Sequence, residues 1–174
     1  PRFADAHADL ATVYNLMVEY HTKPAEEGYG LSFAAAKRAI EIDPRHASAL
    51  TVLGDISYFW QKNYDEAFGY FRRAVEADPR NAQARQWYAS ALMTSGRLHE
   101  AEAQIREARN LSPDARSIIV SQAMIQMARG DADALNQALA GLTPSSTAGD
   151  AESAPPEALT EAQLTGWLDD LAGL

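Results

Sequence analysis

The sequence predicts an all-α protein, a stack of about four antiparallel helix hairpins followed by a linker and a short C-terminal helix. Three observations predict it. Alanine is abundant while Val, Ile and Thr are scattered without alternation, a bias that favours helix because alanine loses least entropy there. Apolar residues recur at helical spacing in runs that stop at Asp43-Pro44, Asp78-Pro79 and Pro113. Those prolines lie 35 and 34 residues apart, and the stretches between them follow one plan.

The plan is plainest in residues 47–79. An apolar-periodic run meets a polar turn at Gln61-Lys62-Asn63, a second run follows, and small residues (Gly54, Ala67, Ala74) stand where two helices would touch. Upstream, Phe3, Leu10, Val13, Tyr14 and Met17 give a first helix over 3–20. Pro24 and Gly28 predict a break over 21–29, and a second helix runs from about Leu31 to Ile42. Hairpins are expected at about 3–44, 47–79, 82–113 and 116–142, so that 1–142 forms one repeat domain. Residues 143–157 are small, polar and proline-containing, the composition of a flexible linker. In 158–174, Thr160 and Gln163 make a capping box, and Leu164, Trp167, Leu168 and Leu171 form one apolar face.

A period of about 34 residues with helix–turn–helix units is the spacing of tetratricopeptide repeats, and the residues agree. Residues 82–113 resemble that motif closely. Tyr88-Ala89 take its Leu-Gly pair, Leu92 its first-helix aromatic and Gly96 its turn. Ala101, Ile105 and Ala108 follow in its second helix, and Pro113 closes it. The preceding unit matches at Leu50, Leu53-Gly54, Tyr64, Ala67, Phe71, Ala74 and Pro79, with one extra residue near the turn. The first unit is looser, with Ser32 in an alanine position, and the fourth keeps Ala123 and Gly130 but has Leu135 where alanine is usual. The resemblance covers about residues 3–142 and implies a right-handed stack with a concave groove that binds protein or peptide. The run from Arg80 to Pro113, with the segment Ala35–Pro44 before it, also looks like the repeat domain of bacterial winged-helix, membrane-anchored transcription regulators. That implies a detached regulatory or sensor domain.

Composition narrows the function classes. The formal charge of −9 is concentrated in residues 143–174, with six acidic and no basic side chains, while 45–113 carry nine basic and eight acidic. No basic stripe exists to follow a phosphate backbone, so no nucleic-acid partner is expected. No apolar run reaches the ~18–20 residues that span a bilayer, so no membrane insertion by this segment is expected, and no signal peptide is visible. A start at Pro1 rather than Met reads as a matured or excised piece of a longer chain. With no cysteine, disulfides and thiol chemistry are excluded. The four histidines lack metal-binding spacing, and no glycine-rich phosphate loop is present, so the expectation is neither enzyme nor cofactor. Asp131, after Gly130, reads as a helix cap.

The resemblance places the groove positions on the first helix of each unit: Asp5, Ala8, Thr12 and Asn15; Ser48, Thr51, Asp55 and Phe59; Gln83, Gln86, Ser90 and Met93; Ser117, Val120, Met124 and Met127. They lack the Lys/Arg/Asn set that grips a C-terminal carboxylate in chaperone-binding relatives, and Asp55 would repel one. The soft end at Met93, Met124 and Met127 suits an amphipathic helix, or lies under a capping element. The aromatic group Tyr58, Phe59, Trp60 and Tyr64 reads as core or as a small-ligand pocket. The tail helix, anchored by Trp167, is expected to dock in cis on the repeats or in trans on another copy. The rival to a scaffold is therefore an assembly module that self-associates through that tail.

Overall fold

The computed structural model describes residues 2–140, and among them there is no strand. Eight α-helices follow in order: α1 (Arg2–Glu19), α2 (Ala25–Ile42), α3 (Ala47–Asp55), α4 (Tyr64–Ala77), α5 (Ala82–Thr94), α6 (Leu98–Leu111), α7 (Arg116–Arg129) and α8 (Ala132–Ala140). They pair as the four expected hairpins, and α1, α3, α5 and α7 lie side by side along the stack. The linker 143–157 and the tail helix with Leu164, Trp167, Leu168 and Leu171 lie outside the described residues.

The hairpin joints repeat. Asp43 and Asp78 each accept a hydrogen bond from the backbone two residues on, at Arg45 and Arg80, both at 3.0 Å. The next first helices are then capped: His46 Nδ1 accepts from Ala49 N at 3.3 Å, and Asn81 Oδ1 from Ala84 N at 2.9 Å. Asp131 caps α8 as expected, accepting from Ala134 N at 3.0 Å. Within each hairpin the turn uses a left-handed residue. Gly96 (φ 77°) and Gly130 (φ 72°) supply it in the last two units, and His21 and Lys62 (both φ 56°) in the first two. A side chain in that region strains the backbone, so the glycine-bearing turns are the more relaxed.

Two features depart from the sequence reading. The break between α1 and α2 spans only residues 20–24, and α2 begins at Ala25, six residues before the expected Leu31. Pro24 presets the entry, Glu26 and Glu27 complement the helix dipole in the first turn, and Gly28 lies inside the helix. A Cβ on Gly28 would collide with Val18, so this glycine serves a close approach of α1 and α2. The extra residue of the second unit, expected near the turn, is absorbed in the helix itself. α3 widens into a π-helical turn at Ile56–Trp60, where Gln61 N bonds to Ile56 O, five residues back, at 2.9 Å.

The core follows the repeat. Ala67, Ala74, Ala101 and Ala108 are fully buried, as are Leu50, Leu53, Phe71, Leu92 and Ile105. Phe71 lies against Gly54, where a Cβ would stand 2.9 Å from its ring, and stacks on Tyr88 with centroids 5.4 Å apart. Ser32, in its alanine position, is buried and satisfied by donating to Ala11 O at 2.7 Å. Because Ala101 has no room for more atoms, Ala101→Leu is expected to lose about 1–3 kcal/mol through overpacking. A urea midpoint equal to the parent's would contradict that packing.

Candidate protein-binding cleft

The first helices bound a concave cleft of about 410 Å³. Leu16 and Glu19 come from the last turn of α1 and Tyr20 from the residue after it, Ala82, Gln83, Gln86 and Trp87 from the start of α5, and Ser117 and Ile118 from the start of α7. Because α1 runs to 18 residues, its C-terminal end reaches past α3 toward α5. Gln86 is held in place: its Nε2 donates to Ser121 Oγ at 3.1 Å, and its Oε1 accepts from Ser117 Oγ at 3.2 Å. Trp87 packs against the cores of both neighbouring repeats. Glu19 is the single charged side chain in the lining.

Several expected groove positions sit elsewhere. Ser48 is half-buried beside Thr12 at a crevice with room for about one water. Gln83, Gln86, Ser90, Ser117 and Val120 keep surface, Met93 is half-buried, and Met124 and Met127 are 45% and 50% exposed on α7. Thr51 and Asp55 are buried, as are Ala8 and Asn15, because α1 packs against α3. Phe59 is half-buried and packs on Tyr58, whose ring also meets Tyr64 and Phe68 at 5.0 and 5.7 Å between centroids. Tyr58 is therefore core, while Trp60 is partly exposed and leans on Tyr29 at 5.1 Å.

Behind the cleft lies a polar contact that sequence reasoning missed. Asn15 Nδ2 donates to Asp55 Oδ2 at 2.9 Å between α1 and α3, with both side chains buried. Burial pushes the Asp55 carboxyl up to about 7, the Asn15 bond opposes the rise, and the Glu19 charge adds to it. Asn15 Oδ1 has no partner among the described residues. The neutral acid carries a hydroxyl that such an acceptor can use; the carboxylate does not. At the far end of the same helix pair, Asp5 Oδ1 faces His46 Nε2 at 2.9 Å. Since His46 Nδ1 accepts the cap bond, a neutral His46 donates from Nε2 to Asp5. Nowhere among the described residues do three His, Asp or Glu side chains gather as metal ligands, and no described helix is long and apolar enough to cross a membrane.

A stack of helical hairpins with a first-helix cleft defines a class of repeat scaffold, and comparison with known proteins agrees. Family models of the tetratricopeptide repeat match residues 29–82 and 58–118, together just over half of the chain. The chain belongs to the tetratricopeptide repeat proteins. No curated protein matches it. Among solved structures it is similar to PilF of Pseudomonas aeruginosa, with TM-score 0.64 and 20% identity over 80% of this chain and 59% of that one. It thus spans well under two thirds of that relative. The tetratricopeptide domain of Arabidopsis OM64 gives TM-score 0.56 and 15% identity, over 72% of this chain and 96% of that domain. A MamA mutant gives 0.52 and 20%, over 80% and 93%. At such identities the likeness is one of fold.

Proposed function

We propose that the chain is a non-catalytic scaffold whose concave cleft captures an amphipathic segment of a protein partner. One observation carries this reading: a cleft that joins apolar surface at Leu16, Tyr20 and Trp87 to the fixed Gln86 amide and Ser117 hydroxyl, with Glu19 as its one charge. Clefts that mix apolar surface with oriented polar groups take helical or extended peptides, and a lone carboxylate favours neutral or basic ones over acidic tails. Met124 and Met127 extend the apolar surface along α7, where flexible thioethers adapt to a helix face. The likeness of residues 80–113 to the repeat domain of winged-helix regulators supports a regulatory role for that capture.

A Leu/Lys amphipathic helical peptide is the probe. Its binding is expected to alter the emission of Trp87, and Ser117→Arg, at an exposed cleft position, should weaken it at least ~10-fold, about 1.4 kcal/mol. Thermal unfolding should not change, since Ser117 supports no core. Equal affinity for parent and variant, read by calorimetry, would overturn the cleft as the binding surface.

A further inference from the structure

α1 carries two faces. Ala4, Ala8, Ala11 and Asn15 are buried against the rest of the stack. On the opposite side Phe3, Ala6, Leu10, Val13, Met17 and Tyr20 recur at intervals of three and four, the seven-residue repeat of a two-helix seam. Phe3 is 76% exposed, Leu10 42%, Val13 52% and Tyr20 69%, whereas α4 turns Arg72, Arg73 and Glu76 to water. An amphipathic helix needs one apolar face to join a core, and α1 has a second.

We propose that this stripe is a homodimer seam, in which α1 of one copy packs antiparallel on α1 of another. The order of the residues selects both the occupant and the direction. Read forward from one end and backward from the other, the stripe matches itself, Phe3 over Tyr20, Ala6 over Met17 and Leu10 over Val13. Each layer then pairs comparable rings, a small residue with a long one, or two branched ones. A parallel pair would set Ala6 on Ala6 and leave a gap. Among the described side chains, the bordering residues His7, Asp9, Tyr14 and Leu16 include one acid and no fixed cation, and in the antiparallel arrangement Asp9 meets Leu16 of the other copy instead of a like charge. Aromatic side chains bury ~150–250 Å² each, so the stripe offers on the order of 450 Å² per copy and about 900 Å² per pair. That is less than a standard interface of ~1,600 Å² and suits weak, concentration-dependent pairing.

Sedimentation velocity of the full chain over a concentration series, without peptide, tests this; Leu10 and Val13 lie outside the cleft, while Leu16 and Tyr20 are common to cleft and seam. A reversible monomer–dimer equilibrium is expected, weakened at least ~10-fold by Val13→Lys or Leu10→Lys with unfolding temperature unchanged. A single monomer at every concentration up to ~1 mM, the weak end of specific association, would overturn the proposal. So would a dimer indifferent to both lysines, or one dispersed by Trp167→Ala. The chain has no cysteine, so disulfide trapping reads the direction. Ala6→Cys mixed with Met17→Cys should cross-link, and preferential Ala6→Cys self-linkage would refute the antiparallel seam.

Discussion

Asp55→Asn is expected to stabilise the protein at pH 8 and to leave it unchanged near pH 4 relative to the parent. In the fold the Asp55 carboxyl sits at about 7, against 3.8 when exposed. A carboxyl raised by folding favours the protonated form, so its penalty is absent below the unfolded value, where both states hold the proton. It accumulates as pH climbs from about 4, because the unfolded chain ionises while the folded one does not, and it is complete above about 7. The full difference is about 4 kcal/mol at 1.36 kcal/mol per pKa unit. The groups facing Asp55 are Asn15 and Glu19 from α1 and Tyr29 from α2, whose hydroxyl is itself raised by burial and by the two carboxylates. Asparagine keeps the acceptor for Asn15 Nδ2 and cannot ionise. Urea unfolding of both proteins from pH 4 to pH 8 checks this, and a difference that does not grow across the interval would contradict it.

Phe71→Ala should cost about 3–5 kcal/mol, the range for removing a buried aromatic ring without relaxation. The ring is fully buried and touches three helices, since it grows from α4, covers Gly54 on α3 and stacks on Tyr88 of α5. No small shift fills that space, because Gly54 has no side chain to bring forward. In a solenoid, stability is the sum of repeat terms and neighbour interfaces, and this ring belongs to the interface between the second and third units. The variant is therefore expected to lose cooperativity as well as stability, with α1–α4 and α5–α8 unfolding in separable steps. Circular dichroism against urea should show a shallower transition. A loss under ~1 kcal/mol with the slope intact would mean the ring is not the coupling element.

The repeat was legible because its signals are redundant. Pro44, Pro79 and Pro113 fix the unit length, while Ala67, Ala74, Ala101 and Ala108 mark close helix contact, and all four alanines are buried. The start of α2 was not legible, since Gly28 reads as a breaker until Val18 is seen to occupy the space of its missing Cβ. Nor was the burial of Asp55. A carboxylate at a groove position looks solvated unless one knows that Asn15, 40 residues away, lies 2.9 Å from it. On the cleft, Gln83, Gln86 and Ser117 were anticipated from the repeat pattern. Leu16, Glu19 and Tyr20 were missed because repeat positions assume first helices of equal length. The one available signal was the apolar run of α1 continuing to Tyr20.

The wide turn at Ile56–Trp60 has a consequence for how the stack tolerates change in length. Each α-helical residue advances the side-chain direction by about 100°, so an inserted residue ought to rotate everything downstream by more than a quarter turn. Here the rotation is confined to one loop of backbone, and Ala67, Phe71 and Ala74 still point inward. The angular phase of each helix is thus set anew by its own contacts instead of being inherited from the helix before it. A unit of this protein can gain a residue at such a turn without disturbing its neighbours' registry.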